Sequence, residues 1–362
     1  RLPRLIGMAK ALPMILSGEP IAATEANRLG LVDEIVSGDL PAGAVAFARR
    51  VAATRPLPRI RDRSDALADL RSNPPALDDL VAANTRRARG LHAPAGAVEA
   101  LRAAFELDID DGLKKEREVF TRLVAGDQSK AQRYIFFAER EAAKVADMPR
   151  ETKARDVKAA AVIGAGTMGG GIAMCFANAG IPVTLLENSK EALDRGLGVI
   201  RRNYENTMRR GGLSQEELDR RIALITPTTD FAALKDADFV IEAVFETMDV
   251  KRSVFGTLER EAKKDAILAS NTSYLDVNEI ARATQRSGEV LGTHFFSPAN
   301  VMRLLEIVRG KETAPDVLAT AIALGRKIGK VPVVVGVCHG FVGNRMLRAR
   351  GIEAERLLLE GA

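Results

Sequence analysis

At 362 residues the chain is too long for one ordinary domain and suggests two or three, each large enough to bury its own core. Its 46% hydrophobic and 28% charged residues are globular values, and no apolar run approaches the ~20 residues that would span a bilayer. The net charge of +5 comes from 53 Lys and Arg interleaved with 48 Asp and Glu, which argues against a nucleic-acid-binding block but suits an anionic small ligand such as a nucleotide phosphate.

From Arg1 to about Thr54, amphipathic helix alternates with one short apolar stretch, Gly30 to Val36, and the segment looks like the end of a domain. The first residues have neither the apolar core nor the cleavage site of a secretory signal, and no initiator Met is present, so the expectation is a chain that starts mid-protein. Residues 55–95 carry Pro56, Pro58, Pro74, Pro75 and Pro94 among charges, a composition that breaks regular structure. From Ala95 to Lys144, Leu101, Phe105, Leu113, Phe120 and Leu123 fall at mostly helical spacing, so 55–157 reads as a linker with helices.

At Lys158 short β-rich runs begin to alternate with helices, the pattern of a parallel sheet covered by helices. The candidate strands are Ala160–Ile163, Val183–Glu187, Ala223–Thr226, Phe239–Ala243, Ile267–Ser270, Val290–Phe295, Leu304–Val308 and Val331–Val335. Ser214 with Glu217 reads as a capping box. After Gly340 a new helix is expected from Phe341, still running at Ala362, so the chain reads as cut at both ends.

Gly164-Ala165-Gly166-Thr167-Met168-Gly169 follows the first of these strands and opens a helix, Thr167 to Ala179. In that context the first Gly permits the tight turn, the second lets backbone approach a pyrophosphate, and the third brings helix against strand, with free N–H groups aimed at the phosphates. Eighteen residues after Gly169 the second strand ends in Glu187, whose carboxylate suits an adenosine ribose diol and would repel a 2′-phosphate. The combination reads as an α/β Rossmann-type doubly wound sheet over 158–340 that binds NAD in preference to NADP.

His294, one of three histidines, sits at the end of the strand Val290–Phe295. Glu306, on the next strand, is an acid among aliphatics and needs a partner if buried, for which an imidazole is suited. A carboxylate on one ring nitrogen fixes the tautomer, raises the basicity of the other and stabilises the imidazolium formed when an alcohol gives up its proton. Ser273 and Asn344 stand where strands end in such a sheet, and both can bind a reacting oxygen. Cys175 and Cys338 lack paired spacing, so neither a disulfide framework nor a metal site is indicated, and a reducing cytoplasm fits.

With these residues in view, the chain resembles the L-3-hydroxyacyl-CoA dehydrogenases, in the multifunctional form fused to an enoyl-CoA hydratase. The motifs that match in order over Lys158 to Ala362 are the Gly164–Gly169 loop, Glu187, Glu242-Ala243-Val244-Phe245-Glu246 with Lys251, Ser270 to Ser273 with Asn271, His294 with Glu306, and Gly340 to Arg345. The resemblance implies His294 as catalytic base, Glu306 as its orienter, Ser273 and Asn344 at the substrate C3 oxygen, and Glu246 and Lys251 near the nicotinamide ribose. It further implies Gly164, Gly166, Thr167, Met168, Gly169, Glu187, Ala243, Val244 and Asn271 around NAD, and 341–362 as the start of an all-α dehydrogenase domain. Ser297 stands where many relatives carry Asn, and His339 where Pro is common.

Residues 1–54 resemble the last helices of a crotonase-type hydratase, in Arg1 to Gly7 and Ile21 to Asp33. In that family the two catalytic glutamates and the oxyanion-hole amides come earlier. Glu19, Glu25 and Glu34 each read better as surface residues. What the resemblance implies is (S)-3-hydroxyacyl-CoA oxidation in fatty acid β-oxidation, on an acyl-CoA substrate, with a thiolase partner or self-association in the longer protein. The compartment would be cytoplasmic in a bacterium and peroxisomal in a eukaryote. Another NAD-dependent hydroxy-acid dehydrogenase on this fold, or a non-catalytic NAD-binding relative, remains the alternative, because fold alone does not set the substrate.

Overall fold

β1 (Ala160–Ile163) alternates its side chains between two cores: Ala160 and Val162 face one with Ile172, Phe176, Ile200 and Val317, while Ala161 and Ile163 face the other with Phe255, Leu258, Val277 and Ile280. Burial on both faces is why such strands read as unbroken apolar runs in the sequence. The other strands are β2 (Val183–Leu186), β3 (Ile225–Thr228), β4 (Phe239–Glu242), β5 (Ile267–Ser270), β6 (Val290–Phe295), β7 (Leu304–Arg309) and β8 (Val331–Gly336). They form one sheet in the order β3-β2-β1-β4-β5-β6-β7-β8, the doubly wound architecture expected from the alternation of strands and helices. The structure, a computed structural model, describes residues 1–68, 75–85, 90–142, 144–149 and 151–362. Pro74, one of the prolines expected to break helix, lies outside these residues.

The sheet is not wholly parallel. β6 and β7 run antiparallel, because residues 296–303 alone join them and a parallel crossover needs about a dozen residues or more. β8 then runs parallel to β7. The strand ends shift slightly from expectation. Glu187 and Ala243 fall just beyond β2 and β4, and β3 begins at Ile225 because Ala223 still closes the helix Gln215–Ala223, which the Ser214/Glu217 capping box opens as expected.

The chain divides into two compact units, Arg1–Phe136 and Phe137–Ala362. In the first, Met8, Leu12, Leu77 and Leu101 make a small core. The helices His92–Glu106 and Ile109–Ala125 are joined at Asp108, whose carboxylate accepts from the Asp110 and Asp111 amides at 2.9 and 3.0 Å and caps the second helix. Regular structure persists where proline content argued against it. Pro75 opens the helix Pro75–Thr85 and Pro94 sits in the first turn of His92–Glu106, where a missing N–H costs no helical hydrogen bond.

In the second unit Arg155 fastens the segment before β1, binding Glu289, Asp316 and the Asp265 carbonyl. Among the described residues no helix is long and apolar enough to cross a membrane, and no group of three His, Cys, Asp or Glu side chains is placed to hold a metal.

Candidate active site

The turn after β1 depends on three glycines for three different reasons. Gly164 has φ +100, and a Cβ there would lie 2.7 Å from the Ala243 carbonyl oxygen. At Gly169 a Cβ would fall 1.8 Å from the Gly164 oxygen, so only Gly lets the helix Thr167–Asn178 come down on the strand. Gly166 is different: nothing lies within 4 Å of where its Cβ would be. Nothing in the protein itself therefore requires Gly there, while a phosphate approaching the backbone and the N-terminal amides of this helix would. Gly164, Gly166, Thr167, Met168, Glu187, Ala243 and Val244 line one cavity of about 560 Å³, together with Phe245 and Val254. These features fit a dinucleotide.

Glu187 is half-buried and accepts from the Ala165 amide at 2.9 Å and from the Asn188 amide at 2.7 Å. These bonds hold its carboxylate against the glycine turn, at the edge of the cavity.

Lys251 and Glu246 form a different feature. Lys251 is 1% exposed, and its ammonium meets Glu242 at 2.7 Å, the Val244 carbonyl at 3.3 Å and Glu246 at 3.3 Å. It therefore sits in the wall and not on the cavity surface, and reaches the site through Val244 and Glu246. Glu242 is wholly buried and also accepts from the Ser270 hydroxyl at 2.8 Å and the Val244 amide at 2.7 Å. The matched motif contained both Glu242 and Lys251 but not their contact. The argument applied to Glu306, an acid ending an apolar run, would have found it.

Glu246 in turn accepts from the Thr272 hydroxyl at 2.6 Å and the Ser273 and Tyr274 amides at 2.7 and 3.2 Å, which sets the loop that carries Ser273. Burial pushes the Glu246 carboxyl up, but Thr272, Ser273 and Lys251 together hold it below the usual carboxylate range. Asn271 accepts from the Phe295 amide at 2.9 Å and so ties the end of β5 to the strand of His294.

His294 and Glu306 face each other directly across the antiparallel pair. His294 Nδ1 lies 2.7 Å from Glu306 Oε2, and the two residues are 4% and 1% exposed. The other carboxylate oxygen accepts from the Val342 and Gly343 amides at 3.0 and 2.8 Å, at the start of the helix Gly343–Leu359. Phe296 and Phe341 flank the imidazole, with ring centres 4.5 and 5.6 Å away. The helix starts at Gly343 and not at Phe341, because Gly340 and Phe341 take φ +73 and +48 and turn those two amides onto Glu306. A positive φ on a buried Phe is uncommon and marks backbone held against its preference at the site. Ser273 and Asn344 come from separate elements that meet at Gly340, where a Cβ would be 3.3 Å from Asn344 and 3.5 Å from Tyr274.

Burial pushes the Glu306 carboxyl up, yet His294 and the Gly343 and Val342 amides outweigh it and hold the group below the usual carboxylate range. A carboxyl whose folded pKa lies below its unfolded one gives stability that is complete above the unfolded value and is lost as pH falls through the folded value. Unfolding free energy is therefore expected to drop on acidification through that window, and to drop less in Glu306→Gln than in the parent protein. Equal acid limbs in urea titrations of the two proteins would refute this.

Comparison with known proteins identifies the family. Residues 159–338 match the family model for the 3-hydroxyacyl-CoA dehydrogenase NAD binding domain. A "Peroxisomal bifunctional enzyme" of Danio rerio is 41% identical over 372 aligned residues, which take in 100% of this chain and 50% of that protein. A "Fatty acid oxidation complex subunit alpha" of Shewanella amazonensis is 36% identical, again over 100% of this chain and 52% of the relative. The chain thus spans about half the length of these curated relatives. The crystal structure of a (S)-3-hydroxybutyryl-CoA dehydrogenase from Ralstonia eutropha is 33% identical and superposes with a TM-score of 0.56, covering 57% of this chain and 73% of that one. The cofactor of this family's matched domain is NAD, and the chain belongs to the 3-hydroxyacyl-CoA dehydrogenase family.

Proposed function

We propose that this chain carries the dehydrogenase step of fatty acid β-oxidation, the oxidation of (S)-3-hydroxyacyl-CoA to 3-oxoacyl-CoA. The observation that carries the reading is the buried His294–Glu306 pair. With Nδ1–H donated to Glu306, Nε2 is left as the base that takes the C3 hydroxyl proton, and the imidazolium so formed is stabilised by a carboxylate already anchored by two amides. Ser273 and Asn344 hold the C3 oxygen, while Glu246 and Lys251 set the Ser273 loop from behind. NAD, when bound, accepts the hydride that leaves C3. A non-catalytic NAD-binding protein would have no use for the carboxylate, the two amides and the turned Phe341 that orient the imidazole.

In this reading residues 1–54 are the C-terminal part of a crotonase-like hydratase domain, 55–157 a helical linker, 158–340 the NAD-binding domain and 341–362 the start of the helical dehydrogenase domain. The names of the bifunctional relatives support a multifunctional enzyme acting on acyl-CoA, with a thiolase partner or self-association. Its compartment would be peroxisomal in a eukaryote and cytoplasmic in a bacterium. The test is the appearance of NADH absorbance on mixing the protein with NAD and 3-hydroxybutyryl-CoA. Its absence with this substrate, and its appearance with an unthioesterified hydroxy acid, would favour another dehydrogenase on the same fold.

Cofactor choice is a separate expectation. The Glu187 carboxylate, held against the glycine turn, would face a 2′-phosphate with no cation between them, so NAD is expected to bind at least ~10-fold more tightly than NADP. Glu187→Gln should narrow that ratio. Equal affinities in the parent protein, by fluorescence titration with the reduced cofactors, would show that Glu187 points away from the ribose.

A further inference from the structure

Lys330, just ahead of β8, is 8% exposed, and an ammonium so deep in a core must be met by acceptors. It donates to two backbone carbonyls, those of Ala299 and Met302, the second at 2.9 Å, and sits 6.0 Å from the centre of the Phe295 ring. Among the described residues no carboxylate lies within ion-pair distance of it. Both carbonyls belong to the turn between β6 and β7, which is closed where the Val301 and Met302 amides donate to the Pro298 carbonyl at 3.0 and 2.9 Å.

That turn lies flush on the helix of the glycine loop. A Cβ at Gly171 would be 3.3 Å from the Ala299 and Asn300 amides, and one turn further along the helix the Cys175 thiol donates to the Ala299 carbonyl at 3.4 Å. Burial pushes the Cys175 thiol up and the nearby Lys330 ammonium opposes the shift, so cation, turn and helix form one block. At the start of this connection Phe296 packs at a tilt against His294 and reaches Gly343, where a Cβ would be 2.7 Å from its ring.

We propose that Lys330 is a positioning residue for hydride transfer, clamping the β6–β7 turn to the glycine-loop helix so that His294 is held in register with the dinucleotide site. The inference rests on the dehydrogenase reading above. A lysine is suited to this task because its ammonium, on a long flexible stem, carries three N–H donors that can gather carbonyls from different points of a turn. Lys330 touches neither substrate nor cofactor in this scheme and acts through the backbone.

The experiment compares the parent protein with Lys330→Met and Lys330→Gln, reading kcat per NADH-binding site and the primary deuterium isotope effect on kcat with 3-hydroxybutyryl-CoA deuterated at C3. Loss of register is expected to lower kcat about 10-fold or more and to raise the isotope effect, because the chemical step becomes slower than product release, with substrate KM little changed. A lysine that merely supports the core would lower the melting temperature and the number of binding sites but leave kcat per site and the isotope effect at parent values, and that result would overturn the proposal. Gln keeps an amide with two N–H donors but loses the charge and part of the reach, and should lie between Met and Lys. Failure of both variants to fold would assign Lys330 to the core and equally overturn it. A parent protein that binds NADH but transfers no hydride would instead remove the dehydrogenase reading itself.

Discussion

Replacing His294 by Ala is expected to lower kcat by ~10²-fold or more while NADH affinity stays near that of the parent, because in the proposed mechanism the imidazole is the base and it belongs to no part of the glycine turn. Glu306→Gln should lower kcat by a comparable factor, since it removes the charge that stabilises the imidazolium while leaving an oxygen for the Val342 and Gly343 amides. The two losses should not add. Once the base is gone its orienter has nothing to act on, so the double variant should resemble His294→Ala alone.

A stability effect accompanies the first change, because stripping one partner from a buried pair strands the other and can cost about 3–5 kcal/mol. His294→Gln, which keeps a donor for Glu306, is the control that separates the two effects: it should fold like the parent and remain as slow as His294→Ala. Full additivity in kcat would mean that the residues act separately and would return Glu306 to a purely structural part.

Two substitutions in the glycine turn are expected to fail in different ways. Gly169→Ala puts a Cβ 1.8 Å from the Gly164 oxygen, backbone against backbone, and should cost about 3 kcal/mol of stability as well as cofactor binding. Gly166→Ala meets no protein atom within 4 Å and should leave the thermal melt unchanged, yet it places a methyl on the phosphate approach and should weaken NADH binding at least ~30-fold, roughly 2 kcal/mol. Isothermal titration and melting of both variants decide the matter. If Gly166→Ala bound NADH like the parent, the dinucleotide would lie elsewhere than on this helix N-terminus.

Much of this was legible in the residue order because the relevant physics is local. The glycine spacing, the apolar strand before it and the acid after the next strand specify a turn, a helix start and a carboxylate beside them within a few dozen residues, and Gly164, Gly166, Thr167 and Glu187 line one cavity. The Ser214/Glu217 capping box was likewise readable, since both halves of the bond lie within one helical turn. Proline content misled over Pro75 and Pro94, because it reports that a helix cannot continue backwards from that point and not that none begins there.

What the tertiary structure alone decided are relations between distant strands. The pairing of His294 with Glu306 was expected from residue type and resemblance, but its geometry depends on β7 running antiparallel to β6 in the one register that sets them opposite each other. A slip of one residue would send the two side chains to opposite faces of the sheet. Lys330 beneath the β6–β7 turn carries no signal of its own in the sequence, and Glu242, legible as an acid at the end of an apolar run, meets Lys251 only once the sheet is packed. A buried charge is defined by the acceptors that surround it, and those are gathered from chain segments that only the packed sheet brings together.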